Sequence, residues 1–311
     1  MRLVFCGTPE FAVATLHAAV GAGHQVLAVV TQPDRAVGRG LELHAPPVKL
    51  AALELGLPVL QPERIKDNVE FRALLEQLRP DAILVVAYGR IIPQWMLELA
   101  PLGALNLHGS LLPKYRGAAP IQWAIANGET VTGVTTMHID AGLDTGDMLL
   151  ARAVPIGEYE TAVDLFAALA DVGAELMLET LSGLAAGTIL RKKQDNDLAT
   201  LAPLLKREDG WMDFARTAKE SFDRWRGFQP WPGAHTKFHG KKLVVHCMHV
   251  AGDAPRGGLG EILVTGDSVQ VVCGGGTLLG LDELQLEGKR RMSAAEFLRG
   301  HRIRSGERLG E

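Results

Sequence analysis

Short apolar segments alternate with helical patterns over the first half of the chain. Apolar stretches cover residues 3–7, 26–31, 59–60, 83–87 and 104–107, and helical spacing of apolar positions covers residues 11–20, 48–55 and 68–78. A strand that is apolar at consecutive positions is buried on both faces, which is typical of a parallel sheet covered by helices. The pattern therefore predicts an α/β fold with a Rossmann-like, open and mostly parallel sheet.

A different pattern begins near residue 206. A helical stretch over 217–226 precedes short apolar runs at 242–250, 261–264, 269–273 and 277–281, which glycine-containing turns separate. Such spacing predicts a small antiparallel barrel or sandwich. A polar, weakly periodic segment precedes the change. We therefore predict a first domain over residues 1–188, a linker over 189–205 and a second domain over 206–311.

Composition limits the class of protein. Three cysteines among 311 residues do not form a disulfide framework, and the start of the chain is interrupted early by Gly7, Pro9 and Glu10, unlike a secretory signal. The apolar run at 82–87 is far below the roughly 18 residues that a membrane span needs. We therefore expect a cytoplasmic protein without a membrane partner.

Charge is distributed unevenly along the chain. Residues 204–311 contain 17 Lys and Arg against 14 Asp and Glu, a balance of +3, while the whole chain has a net charge of −4. The remaining 203 residues therefore carry −7. A mildly basic C-terminal part gives a weak indication of a polyanionic partner, and an ordinary solvated surface is the alternative.

The turn after the first apolar segment argues against a bound dinucleotide. The segment Gly7-Thr8-Pro9-Glu10-Phe11-Ala12 stands where a dinucleotide-binding fold carries G-x-G-x-x-G, and only the first glycine is present. Without the second glycine the backbone does not approach a pyrophosphate closely. We expect neither NAD nor FAD.

Two polar side chains stand two residues apart at the end of an apolar strand. Asn106 and His108 share a face there, because strand side chains alternate. An amide can donate to a developing oxyanion and an imidazole can move a proton, which suits acyl chemistry. An N-x-H pair at a hydrogen-bonded strand end is the structural alternative. The following turn, residues 109–113, offers backbone N–H groups and an apolar wall to a flat heterocycle.

A glycine-rich acidic loop covers residues 140–147. Its acids do not follow the EF-hand spacing, so Asp144 is better interpreted as a group that orients His108 or accepts a proton. Sequence spacing alone does not show that the two side chains meet. We expect no metal: His246 and His249 point to opposite faces of a strand and would not share an ion.

Together these motifs resemble the folate-dependent formyltransferase family, which includes glycinamide ribonucleotide formyltransferase. The resemblance rests on Asn106, His108, the SLLPKYRG run at 110–117 and the DAGLDTG loop at 140–146. Further segments are similar to the branch that formylates methionyl-tRNA: FCGTPEFA at 5–12, TQPDR at 31–35, VVAYG at 85–89, GAAPIQ at 117–122 and QPWP at 229–232. The likeness covers nearly the whole chain.

The resemblance implies transfer of the formyl group of 10-formyltetrahydrofolate to the α-amine of methionyl initiator tRNA, without metal or NAD. It implies a catalytic trio of Asn106, His108 and Asp144, and a folate-contacting turn formed by Ser110, Leu111, Leu112 and Pro113. It also implies an OB-like C-terminal domain that helps to hold the tRNA. We expect a monomer without an obligate protein partner.

The segment 31–49 corresponds to a loop that enters the acceptor end of the tRNA in the family. It carries Arg35, Arg39 and Lys49 among glycines and prolines, and Arg39 matches a position implied in tRNA binding. Leu41 and Glu42 stand where the family often has lysines. The loop could also be a plain surface connection.

Other functions stay open at this stage. The trio acts on the formyl donor, so it also fits an amino-sugar nucleotide formyltransferase or a hydrolase that releases formate from the folate. An RNA-binding or folate-sensing module with a degenerate site is a non-enzymatic alternative, and the glycine fingerprint that a dehydrogenase needs is missing.

Overall fold

A computed structural model gives the structure of the chain and describes residues 1–37, 42–254, 256–301 and 303–310, without the side chains of Val37 and Glu42. The chain divides into two compact units. The first comprises Met1–Pro120, Val131–Pro155 and Leu165–Pro203, and the second comprises Ile121–Thr130, Ile156–Asp164 and Leu204–Glu311. Among the described residues, no helix combines the length and apolarity that crossing a bilayer requires.

The strands and helices up to residue 186 include those that the alternation in the sequence predicts, together with further ones. In chain order the strands are β1 (Arg2–Gly7), β2 (Gln25–Val30), β3 (Arg35–Val37), β4 (Glu42–His44), β5 (Val59–Leu60), β6 (Ala82–Val86), β7 (Ala104–His108), β8 (Val131–His138) and β9 (Met148–Pro155). The helices are α1 (Val13–Gly21), α2 (Pro47–Glu54), α3 (Val69–Leu78), α4 (Gln94–Leu97), α5 (Pro120–Ala126) and α6 (Ala162–Ala186).

The first unit contains a seven-stranded sheet in the order β5-β2-β1-β6-β7-β8-β9. The pairs from β5 to β7 are parallel, and β8 and β9 extend the sheet in antiparallel pairing. All five residues of β6 are buried, as expected for a strand covered on both faces. The prediction of a Rossmann-like, mostly parallel sheet is confirmed.

Local signals explain where the helices begin and end. The Asn68 side chain accepts a hydrogen bond from the Phe71 backbone N–H at 3.0 Å and so caps α3. Arg79, with φ of 47°, ends the same helix in a left-handed conformation. Helix α2 begins with a proline at its first turn, where the missing N–H is not needed.

Helix α6 covers one face of the antiparallel edge of the sheet. The Thr136 and Thr180 hydroxyls form a hydrogen bond of 2.7 Å. A Cβ atom at Gly173 would lie 2.6 Å from Leu107 Cδ2, so the helix packs closely against the Leu107 side chain. Strand side chains alternate, so Asn106 and His108 point to the face opposite Leu107. That face is where the polar side chains of β7 collect.

The second unit is built on an antiparallel sheet. Its strands are β10 (Ala234–Phe238), β11 (Lys241–Asp253), β12 (Ile262–Thr265), β13 (Ser268–Cys273), β14 (Thr277–Leu286) and β15 (Met292–Ser293), and its helices are α7 (Ala218–Gly227) and α8 (Ala294–His301). The order is β10-β11-β14-β13-β12, and β15 also pairs with β14. A small antiparallel domain after an α/β domain agrees with the predicted fold class.

The predicted domain bounds differ in detail from the compact units. Two segments inside 1–188, Ile121–Thr130 and Ile156–Asp164, belong to the second unit, and the predicted linker contributes residues up to Pro203 to the first unit. The bounds 1–188, 189–205 and 206–311 remain a prediction about independent domains.

Candidate active site

The imidazole of His108 is fixed by a backbone carbonyl at the end of β7. Its Nε2 atom lies 2.9 Å from the carbonyl oxygen of Tyr115, and the His108 side chain is buried. A carbonyl oxygen only accepts, so Nε2 carries a hydrogen and donates. Nδ1 is therefore the atom at which a proton can be gained or lost.

The carboxylate of Asp144 faces that second nitrogen. Asp144 Oδ2 lies 3.7 Å from His108 Nδ1, and the two side chains are 18% and 6% exposed. The same oxygen accepts a hydrogen bond of 2.8 Å from the Gly117 backbone N–H. The structure thus brings together two residues that are 36 positions apart, as the sequence hypothesis requires.

The loop that carries Asp144 is tightly folded. Asp144 adopts φ of 51°, a left-handed conformation that non-glycine residues adopt rarely. The Asp140 carboxylate accepts hydrogen bonds from the Gly142 N–H at 3.0 Å and the Thr145 hydroxyl at 2.7 Å. A Cβ atom at Gly146 would lie 1.8 Å from the His138 carbonyl oxygen, so the loop closes only with glycine there. Asp140 thus supports the loop and leaves Asp144 to face His108.

Asn106 lies on the same face of β7 as His108. It is partly exposed, and its register partners are Val85 on β6 and Met137 on β8. Its side-chain amide forms no hydrogen bond with any residue in the described part of the chain. The amide is therefore available to a bound molecule, about 7 Å along the strand from His108.

Hydrogen bonds within the turn and with strand β8 hold the predicted folate-contacting residues in place. The Ser110 hydroxyl is fully buried and donates to the Lys114 carbonyl at 2.6 Å. Thr135 on β8 donates to the Ser110 carbonyl at 2.7 Å, and the Leu112 N–H donates to the Thr135 hydroxyl at 3.2 Å. Leu111 and Pro113 are partly exposed beside this frame, and Leu112 is buried. The apolar side chains thus stand on a hydrogen-bonded support.

The loop predicted to contact tRNA is described only at its two ends. Arg39 lies outside the described residues. Lys49 Nζ contacts both carboxylate oxygens of Asp34, at 2.6 and 2.8 Å, so its charge is already paired. Arg35 donates to the Gln32 side chain at 2.7 Å. The loop therefore offers less unpaired positive charge at its ends than the sequence indicates.

A small network anchors the base of this loop. Gln61 donates to the Asp34 carboxylate at 2.8 Å and to the Gln32 carbonyl at 2.8 Å. The hydrogen bond from Gln61, followed by that from Lys49, lowers the pKa of Asp34 below its ordinary value. A cavity of about 270 Å³ adjoins this base and is lined by Thr8, Gln32, Pro33, Arg35, His44, Ala45 and Pro46. It lies beside the carboxyl end of β1, where ligands of open α/β sheets bind.

The histidines of the C-terminal sheet have separate partners. His246 Nε2 lies 2.8 Å from Gln285 Oε1, and His249 Nδ1 lies 2.9 Å from Asp282 Oδ2. Across the ranges described, no group of three His, Cys, Asp or Glu side chains is placed to hold a metal ion.

Three residues that support the site have no role in the hypothesis from sequence. Arg116, buried in the turn after Pro113, donates to Gln194 at 3.0 Å and to Asn196 at 2.9 Å. Gln194 and Asn196 lie in the segment interpreted as a linker. A buried arginine in a glycine-rich turn needs acceptors, and the amide side chains at 194 and 196 were the signal that could have identified them.

Family models match both parts of the chain. The model described as formyl transferase matches residues 1–181, and the model described as formyl transferase, C-terminal domain, matches residues 204–302. The chain belongs to the formyl transferase family. This formyltransferase is 61% identical over 310 residues to the methionyl-tRNA formyltransferase of Acidobacterium capsulatum, with 100% of each chain covered. It is 57% identical to that of Koribacter versatilis, with 100% of this chain and 99% of the relative covered.

Solved structures share the fold at low identity. An N-formyltransferase from Helicobacter canadensis, in complex with folinic acid and dTDP-3-aminofucose, has a TM-score of 0.68 at 20% identity and covers 90% of this chain and 98% of its own. HypX from Aquifex aeolicus, in complex with tetrahydrofolic acid, has a TM-score of 0.61 at 19% identity and covers 96% of this chain and 47% of its own. At these identities the comparison supports the fold alone.

Proposed function

We propose that this formyltransferase moves the formyl group of 10-formyltetrahydrofolate to the α-amine of methionyl initiator tRNA. The observation that carries the proposal is the 61% identity over the full length to a methionyl-tRNA formyltransferase. The amino-sugar enzyme that shares the fold is only 20% identical, so the tRNA substrate is favoured over a sugar nucleotide. Both relatives described above, at 61% and 57% identity, are methionyl-tRNA formyltransferases, which favours this function over a hydrolase or a binding module without activity.

The reaction begins with attack of the neutral α-amine on the formyl carbon. Free α-amino groups titrate near about 8, so a useful fraction is neutral at cellular pH. Attack forms the new C–N bond and places negative charge on the formyl oxygen. We assign to Asn106 the donation of a hydrogen bond to that oxygen, because its amide is partly exposed and is not engaged within the described protein.

His108 and Asp144 carry out the proton transfers in this proposal. Protonated at Nδ1, His108 stabilises the oxyanion and then gives the proton to N10 of the folate as the bond from N10 to the formyl carbon breaks. The amine loses one proton, which returns to the His108–Asp144 pair, so the cycle balances. The Nε2 bond to Tyr115 fixes the ring, and the Asp144 carboxylate lies 3.7 Å from Nδ1.

We assign folate contact to the turn at Ser110, Leu111, Leu112 and Pro113. Ser110 shapes the turn, since its hydroxyl is fully buried and already donates to Lys114. Leu111 and Pro113 are partly exposed and offer an apolar wall to the flat pterin. Arg39 and the C-terminal unit are proposed to hold the tRNA by contacts to phosphate.

His108 and Asp144 come from one chain, so the proposed site needs no second copy. We accordingly propose a monomer, acting in the cytoplasm where aminoacyl-tRNA is made and used.

Mass spectrometry of methionyl-tRNA after incubation with 10-formyltetrahydrofolate and the enzyme tests the reaction. The proposal expects the mass increment of one formyl group on the amino acid and loss of formyl from the folate in equal amount. A sugar nucleotide with a free amine serves as the competing acceptor. Formylation of the sugar in preference to the aminoacyl-tRNA, or release of free formate alone, would contradict the proposal.

Single-turnover transfer with saturating substrates tests the assigned residues. Asn106→Ala is expected to slow transfer by about 10² to 10³, the range seen when an oxyanion donor is removed. His108→Ala is expected to slow it at least as much. Transfer within about threefold of the parent in either folded variant would remove that residue from its role.

A further inference from the structure

The segment 194–202 is bound to the turn that follows the predicted folate-contacting residues. The Arg116 N–H donates to the Thr200 carbonyl at 2.8 Å, and the Ala202 N–H donates to the Arg116 carbonyl at 2.7 Å. The Tyr115 N–H donates to the Thr200 hydroxyl at 2.8 Å. Gly117 approaches so closely that a Cβ atom there would lie 2.6 Å from the Ala202 carbonyl oxygen. The segment therefore forms part of the site's support within the first unit.

Gln194 connects this segment to the loop that carries Asp144. Its Nε2 donates to the Asp144 carbonyl at 2.8 Å and to the Gly146 carbonyl at 2.8 Å. Its Oε1 accepts from Arg116 Nε at 3.0 Å. A primary amide has two N–H donors, both used here, and a carbonyl oxygen that faces the guanidinium. No other natural side chain except asparagine, which is shorter, presents this combination.

The result is a closed ring of contacts around the reactive pair. The turn at residues 115–117 holds His108 through the Tyr115 carbonyl and the Asp144 carboxylate through the Gly117 N–H. The Arg116 side chain, from the same turn, holds Gln194, which fixes the Asp144 backbone. Asp144 adopts φ of 51°, an intrinsically disfavoured conformation that outside contacts must maintain.

We propose that Gln194 is a positioning residue for formyl transfer, whose amide holds the Asp144 loop at the separation from His108 that proton transfer requires. For its kinetic readout the inference rests on the proposed function. Gln194 acts through Asp144, so its removal should slow the chemical step and leave the affinity for each substrate nearly unchanged.

Gln194→Glu is the sharpest perturbation, because it keeps the size of the side chain and the oxygen that faces Arg116. It replaces the two N–H donors with an oxygen that repels the Asp144 and Gly146 carbonyls. Gln285→Glu is the matched control: it makes the same change on β14, where the amide donates to the Lys289 carbonyl at 3.0 Å. The single-turnover rate should fall at least about tenfold in Gln194→Glu, since small displacements of reacting groups are costly. The single-turnover rate of the control should stay within about twofold of the parent rate. In Gln194→Glu, KM for both substrates should stay within about threefold of the parent values.

A double-mutant cycle with Asp144→Asn separates positioning from general structural damage. If Gln194 acts through Asp144, the double variant should be no slower than the slower single variant, within about threefold. Losses that multiply would overturn the proposal. If Gln194→Glu is unfolded, as thermal melting would reveal, Gln194→Leu replaces it in the cycle, because it removes the hydrogen bonds without adding charge.

The imidazole resonances of His108 give a readout that does not depend on the acceptor. In ¹⁵N-histidine spectra, Gln194→Glu should move the His108 signals toward their positions in Asp144→Asn, and Gln285→Glu should leave them in place. Signals that move in Asp144→Asn but stay at the parent position in Gln194→Glu would overturn the proposal. If the parent fails to formylate methionyl-tRNA, the proposed function fails, while these spectra still decide the role of Gln194.

Discussion

Gly146→Ala tests whether reaction rate depends on the position of the Asp144 loop. An alanine Cβ atom would lie 1.8 Å from the His138 carbonyl oxygen, whereas real Cβ atoms do not come within 3.0 Å. The loop must therefore move by at least 1.2 Å, the difference between these distances. Asp144, two residues earlier, has its carboxylate 3.7 Å from His108 Nδ1 and tolerates little displacement. Because misplacement by about 1 Å can cost about 100-fold in rate, we expect a loss of that size.

The assay is single-turnover formyl transfer with both substrates saturating, together with urea unfolding. Overpacking should also lower the free energy of unfolding by about 1 to 3 kcal/mol. Gly21→Ala is the control, because no atom lies within 4 Å of the added Cβ at the end of α1. It should leave transfer unchanged and leave stability equal or slightly higher. A folded Gly146→Ala enzyme that transfers formyl within about threefold of the parent rate would refute the dependence on loop position.

Three further predictions concern binding and pH. Arg39→Ala should raise KM for methionyl-tRNA at least about tenfold and leave KM for the folate unchanged in steady-state assays; equal changes in both would contradict a tRNA-specific role. Asp34→Asn should raise KM for methionyl-tRNA without slowing single-turnover transfer, because it weakens the contacts by which Lys49 and Gln61 hold the base of the loop. A slower chemical step at saturation would contradict a role of Asp34 in the loop alone. Burial, followed by repulsion from Arg191, lowers the pKa of His138, so its stability contribution is complete above about 6.5 and is lost as pH falls. In urea unfolding from pH 6.5 to 5.5, His138→Gln should lose less stability than the parent, by at most about 1.4 kcal/mol per pH unit. If the free energy of unfolding falls equally with pH in both proteins, the lowered pKa of His138 is not the cause.

The parallel part of the sheet was predictable because a strand that is buried on both faces has apolar residues at consecutive positions. Strands β1 and β6 are apolar at consecutive positions and are buried throughout except at Arg2. Strands β8 and β9 were not predicted. In β8 the buried positions include the polar residues Thr132, Thr135 and Thr136. The hydroxyls of Thr135 and Thr136 form hydrogen bonds with Ser110 and Thr180. A pattern based on apolar residues alone misses a strand of this kind, although β-branched residues were present as a signal.

The meeting of His108 and Asp144 was a hypothesis from residue type that only the fold could test. The sequence identifies an imidazole at a strand end and an acid in a glycine loop, but it does not supply the distance between them. That distance depends on the Gly117 N–H, on the left-handed Asp144 and on the close approach at Gly146. Each of these is a tertiary or backbone feature. Charge at the loop base was misjudged for a related reason, since Lys49 has a partner 15 positions away.

The segment 189–205 shows why polar composition does not by itself indicate a linker. It lacks the apolar stripe that a helix or strand buries, so periodicity predicts nothing regular there. Its polar side chains instead bind backbone groups of other loops: the Gln194 amide donates to the carbonyls of Asp144 and Gly146, and the Thr200 hydroxyl accepts from the Tyr115 N–H. A reactive loop cannot be stabilised by a packed core without losing access to substrate, so its backbone must be held by hydrogen bonds from outside. A segment rich in Gln, Asn and Thr next to a catalytic domain can therefore contain residues that hold the catalytic loops in position.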